Sequence, residues 1–120
     1  MGRVTGVGGI FFRSRDPKAL SAWYREVLGL QVEDWGGALF RPEAGSKIVW
    51  SPFAHDSKYF EPSSREFMIN FAVEDLDGLL ARLEGKGVPI LGRDGDDNGR
   101  FAWIADPDGT KIELWEPKKT

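Results

Sequence analysis

With 120 residues the chain amounts to one ordinary domain over residues 1–120, long enough to fold without disulfides or a structural metal. It has no cysteine, which excludes disulfides and thiolate metal sites, and its 16 basic and 19 acidic residues sum to a net charge of −3, which gives no field for nucleic acid or an anionic membrane surface. No apolar run approaches the roughly 20 residues of a membrane helix, and the first residues lack the layout of a secretion signal, so the expectation is a cytoplasmic protein.

Residues 4–12 read as a strand, with Val4, Val7, Ile10, Phe11 and Phe12 set among small residues. Gly6, Gly8 and Gly9 weaken a lone strand and point to a bulge or a close backbone approach. Asp16-Pro17 opens a helix, because Asp caps well and Pro is favoured at the first helical position. Ala19, Leu20, Trp23, Tyr24, Val27 and Leu28 follow at helical spacing, and Gly29 ends the run. Shorter strand-like pieces come at 30–33, 38–41 and 47–50, divided by Gly36-Gly37 and by residues 43–46. Residues 52–64 read as a long loop, and such loops are usually functional or mobile.

The order then repeats. Residues 66–73 read as a strand, Asp75 caps a helix carrying Leu76, Leu79, Leu80 and Leu83, and Gly85 and Gly87 end it. Strand-like runs at 88–91, 100–105 and 111–115 are separated by Asp/Gly-rich turns at 94–99 and 106–109. The chain therefore reads βαβββ twice, an internal duplication with modules at about 1–55 and 65–120. One helix covers only one sheet face, so each half needs the other. The expected fold is α+β: two tandem modules form a curved eight-stranded mixed sheet around a cleft, with the helices outside.

Alternation along 111–115 sends Ile112 and Leu114 under the helices, and Lys111, Glu113 and Trp115 into the cleft. A carboxylate in an aromatic cleft needs a partner, which a metal, an arginine or a ligand donor would supply. Trp103 shares that parity, and Trp50 lies on another expected strand. Asn70 is polar in an apolar run and shares its face with Met68. Arg100 is placed to pair with Glu113 or with an anionic ligand. His55, the sole histidine, sits in the long loop and forms a candidate lid with Tyr59 and Phe60. Each has a plainer alternative: core packing for the tryptophans, a backbone partner for Asn70, solvent for Arg100 and His55.

Three stretches carry a family resemblance: residues 12–30 (FRSRDPKALSAWYREVLGL), 71–87 (FAVEDLDGLLARLEGKG) and 99–117 (GRFAWIADPDGTKIELWEP). They resemble the opening, second-module and closing motifs of the glyoxalase/bleomycin resistance/dioxygenase (vicinal oxygen chelate) superfamily. The resemblance implies a glyoxalase-like fold, a homodimer and a cleft whose four strands hold a divalent metal. Carried over position by position, the four ligand places fall on Gly9, Met68, Val49 and Glu113, and only Glu113 is a ligand. A catalytic metal needs about three protein ligands. No metal cofactor is therefore expected, unless a non-standard site exists. The implied function is binding of a small molecule in the aromatic cleft, as the superfamily's resistance proteins sequester drugs. The alternatives are a metal-dependent lyase, isomerase or dioxygenase, in which Glu113 would be the catalytic group, and a non-catalytic interaction domain.

Overall fold

Both expected helices form, and the caps explain their limits. A computed structural model describes residues 2–3, 7–42 and 44–118. Helix α1 (Pro17–Leu28) starts where the Asp16 carboxylate accepts from the Ala19 amide, and stops where Gly29 turns left-handed at φ 77°. Helix α2 (Leu76–Gly85) has two capping carboxylates. Asp75 accepts from the Gly78 amide at 3.2 Å, and Glu116 reaches across to the Leu76 amide at 2.8 Å. Asp75 itself adopts φ 58°, a region in which Asp is among the few tolerated side chains.

The second half forms one mixed sheet of strands β1 (Ile69–Ala72), β2 (Gly92–Asp96), β3 (Gly99–Ala105) and β4 (Lys111–Pro117), in the order β1-β4-β3-β2. Strand β4 is central, parallel to β1 and antiparallel to β3, with Asn70 opposite Glu113 and Trp103 opposite Glu113 on the two sides. Alternation does what the sequence leads one to expect. Ala102, Ile104, Ile112 and Leu114 are buried against Leu20, Tyr24 and Val27 of α1 and Leu76, Leu80 and Leu83 of α2. Burying each of these large aliphatic side chains contributes roughly 1.5–3 kcal/mol. Both helices therefore cover one sheet face and leave the other, with Glu113, to the remaining chain.

The hairpin register departs from expectation. The strand expected at 88–91 begins at Gly92 instead, and the turn is only Asp97-Asn98. Val88 and Ile90 pack against the core as the lead-in, so their apolar character reflects burial and not pairing. Gly99 makes the tight return possible. Its φ is 132°, and a Cβ there would sit 2.2 Å from the Glu116 carbonyl oxygen.

The first half also departs from expectation. Of its four expected strands, residues 30–33 and 38–41 meet only at a Val32–Ala38 bridge, closed by the Glu33 amide donating to the Gly37 carbonyl at 2.7 Å. Residues 7–12 and 47–50 join no strand pair among the described residues, and 4–6 lie outside the described residues. The sheet is thus four-stranded among the described residues. Strand propensity states what a segment tolerates; pairing is a non-local event that propensity does not determine. The consequence is exposed apolar surface, with Ile10 61%, Phe11 93% and Trp50 79% exposed.

Candidate ligand-binding site

The open sheet face is organised around Glu113. Its residue is only 8% exposed, and three elements send donors to its carboxylate. Asn70 on β1 donates through Nδ2 to Oε1 at 2.8 Å. Trp103 on β3 donates through Nε1 to Oε2 at 2.8 Å. The Tyr59 hydroxyl, from the long loop, donates to the same Oε2. The cross-strand register of β1, β4 and β3 fixes the first two donors, because directly opposed side chains share a face.

An aromatic row extends from this point. Trp103 lies nearly parallel to Phe101, and Phe101 to Trp115, each pair with ring centroids 6.4 Å apart. Tyr59 meets Trp103 edge-on at 6.1 Å. Lys111 stands over the Tyr59 ring, its Nζ 5.0 Å from the centroid, and donates to the Tyr59 carbonyl at 2.5 Å. Burial holds the Lys111 ammonium below its usual range, against the opposing pull of Glu113. Burial, and then donation to Glu113, push the Tyr59 phenol well above its usual range.

The structure brings some of the expected residues together and separates others. Glu113, Asn70 and Trp103 form one hydrogen-bonded group, and Trp115 ends the aromatic row, its indole N–H donating to the Asn98 carbonyl at 3.0 Å. Met68 is half-buried one residue before β1. Arg100 is not a partner of Glu113. It makes a two-pronged pair with Asp77 of α2 at 2.6 and 3.0 Å, on the opposite face, because its parity on β3 is that of Ala102. Trp50 is exposed on the unpaired 47–50 segment, and His55 is exposed in the loop. Lys111 and Phe101 join the site although neither is among the binding residues expected from the sequence; both share the parity of Glu113.

A groove of about 580 Å³ lies elsewhere. Leu30, Phe40, Phe71, Leu79 and Leu114 help to line it, between α1's end, residues 38–41 and α2. Glu113 is not in its walls, so the convergent polar groups and this groove do not coincide.

The profile of the Glyoxalase/Bleomycin resistance protein/Dioxygenase superfamily matches residues 6–114. The chain belongs to this superfamily. No curated protein sequence matches the chain. A superfamily domain from Frankia sp. EAN1pec is similar in structure, with a TM-score of 0.60 and 19% identity over 97% of this chain and all of the other. An antibiotic binding protein, TnmS3, from Streptomyces sp. CB03234 has a TM-score of 0.54 and 24% identity over 88% of each chain. A glyoxalase/bleomycin resistance protein from the same organism is 35% identical, but the aligned part spans only 40% of this chain and 42% of that one, with a TM-score of 0.38.

The superfamily's metal does not fit the groups present. Gly9 and Val49 lie on unpaired segments, Met68 offers no hard ligand, and both Glu113 oxygens accept from N–H or O–H donors. Such donors complement an anion, and a divalent cation in their midst would face three positive dipole ends. Among the described residues, no three His, Asp or Glu side chains converge.

Proposed function

We propose that this superfamily domain binds a small aromatic molecule over the open sheet face, without the superfamily's metal. Glu113 supplies the polar anchor, Asn70 holds the carboxylate in place, and Trp103, Phe101 and Trp115 supply the apolar wall. The observation that carries this reading is the near-complete burial of Glu113 between two donors fixed by neighbouring strands. A carboxylate so oriented can take one further donor from a ligand. A lyase, isomerase or dioxygenase reaction finds less support, since it needs chelating groups that Gly9, Met68 and Val49 do not offer.

In the same reading, the segments at 7–12, 30–33, 38–41 and 47–50 form the other half of an eight-stranded sheet and close the cleft. Their exposed apolar residues, Phe11 and Trp50 foremost, favour a homodimer in which this surface is covered. Light scattering at micromolar concentration tests the dimer, and a strict monomer refutes it.

Binding is tested by tryptophan fluorescence with a panel of planar aromatic compounds. A saturable change in the wild type that weakens at least about tenfold in Glu113→Gln is expected, a loss of roughly 1.4 kcal/mol. A flat response across the panel refutes binding. A stoichiometric metal in protein purified without chelator, and lost in Glu113→Gln, refutes the metal-free reading.

A further inference from the structure

Tyr59 differs from the other two donors to Glu113 in one respect. Asn70 and Trp103 stand on paired strands, whereas Tyr59 stands on the loop at 52–64. Among the described hydrogen bonds, Tyr59 alone joins that loop to the sheet. Its hydroxyl donates to Glu113, and its carbonyl accepts from Lys111. The remaining described loop bonds are local: Ser57 to Ala54, Glu61 to Lys58 and Ser63 to Phe60, all backbone, with the Tyr59 amide on the Ser57 hydroxyl and the Arg65 amide on the Ser63 hydroxyl. Phe53 packs on Tyr59 at 5.5 Å and on Phe60 at 5.0 Å. The loop is therefore a self-contained knot of turns that presents one phenol to the site and is tethered there by one residue.

We infer that Tyr59 is an intramolecular occupant of the Glu113 site, and that a hydroxyaryl ligand binds by displacing it. This rests on Glu113 being the ligand's anchor. The geometry names the chemistry of the incoming group, because the phenol already there satisfies every contact. It places an O–H on Oε2 of Glu113, an edge against Trp103 and a π-face under the Lys111 ammonium. A ligand that takes the position must offer the same three things: a donor hydroxyl, a ring, and electron density for the cation. An apolar arene lacks the first and leaves a buried carboxylate short of a partner.

Displacement has a quantitative consequence. A tethered group competes at an effective concentration on the order of millimolar for a short flexible connection. The apparent dissociation constant of any ligand is raised by the fraction of time the site is closed. Tyr59 therefore sets a threshold that weak hydroxyaryl compounds do not cross, and its loop is released when a stronger one does.

4-Methylphenol, the tyrosine side chain as a free molecule, is the probe, and the indole N–H resonance of Trp103 in a nitrogen-15 spectrum is the readout. In Tyr59→Ala the probe is expected to bind saturably, at least about tenfold tighter than to the wild type. Toluene is expected to bind that variant at least about tenfold more weakly than 4-methylphenol. Tyr59→Phe removes one oxygen and keeps the ring, and should also bind the probe better than the wild type. Equal affinity in wild type and both variants overturns the inference, as does toluene binding as tightly as the phenol. A wild-type ligand that is lost in Glu113→Gln but unaffected by either Tyr59 variant leaves the binding site standing and removes the displacement alone.

Discussion

The Tyr24 hydroxyl donates to Oδ2 of Asp106 at 2.7 Å, joining α1 to the turn between β3 and β4 across 82 positions of sequence. Asp106 is 5% exposed, and its other oxygen accepts from the amides of Asp108 and Thr110, each at 2.9 Å. One carboxylate thus closes the turn and anchors a helix. Tyr24→Phe leaves a buried acceptor without its partner, and a loss of about 1–3 kcal/mol is expected from urea denaturation.

The same bond makes stability depend on alkaline pH. Burial, then donation to Asp106, push the Tyr24 phenol well above its usual range. A raised folded-state value contributes stability that is fully present below pH about 10, where the unfolded chain still holds its proton. Above that, the unfolded chain ionises first and stability falls by about 1.4 kcal/mol per pH unit. Both of the chain's tyrosines are shifted in this direction. Tyrosinate absorbance should therefore rise only with unfolding, and a separate transition near pH 10 in folded protein would contradict the assignment.

Gly99 should tolerate no side chain. Gly99→Ala forces a Cβ against the Glu116 carbonyl in a backbone region that L-residues rarely enter. A loss above about 2 kcal/mol is expected from thermal denaturation, larger than an ordinary surface substitution.

Glu116→Ala should cost about 0.5–2 kcal/mol, because it uncaps the Leu76 amide. Asp75→Asn should cost less, since Asn keeps a capping oxygen and accepts positive φ. Chemical denaturation of the two variants gives the ranking directly.

Arg100→Ala should leave both stability and ligand affinity close to wild type. Its pair with Asp77 is solvent-exposed, with the two side chains 50% and 67% accessible, and it lies behind the sheet from Glu113. A large loss of affinity would return Arg100 to the site.

Much of the second half was legible in the sequence. Asp16 and Asp75 announced both helices, and the two-residue period of 111–115 put Glu113 and Ile112 on opposite faces, because these features depend on near neighbours. Asn70 and Trp103 followed from parity. The donation from Tyr59 did not, since it spans 54 positions and depends on how a loop folds back. The Asp77 partner of Arg100 was not legible either, because the capacity of an arginine to pair does not say which carboxylate lies nearest. The pairing of the first-half segments was not legible for a related reason: apolar residues such as Phe11 and Val49 mark surface in need of cover but not what provides it.

The joint between Tyr24 and Asp106 links the two halves of the chain. Both residues sit in stretches that carry the family resemblance, and their bond ties a helix to a turn on the far side of the sheet from Glu113. A bond that spans 82 positions makes the packing of the first helix and the closing of the last hairpin one event, so a change at either end is felt at the other.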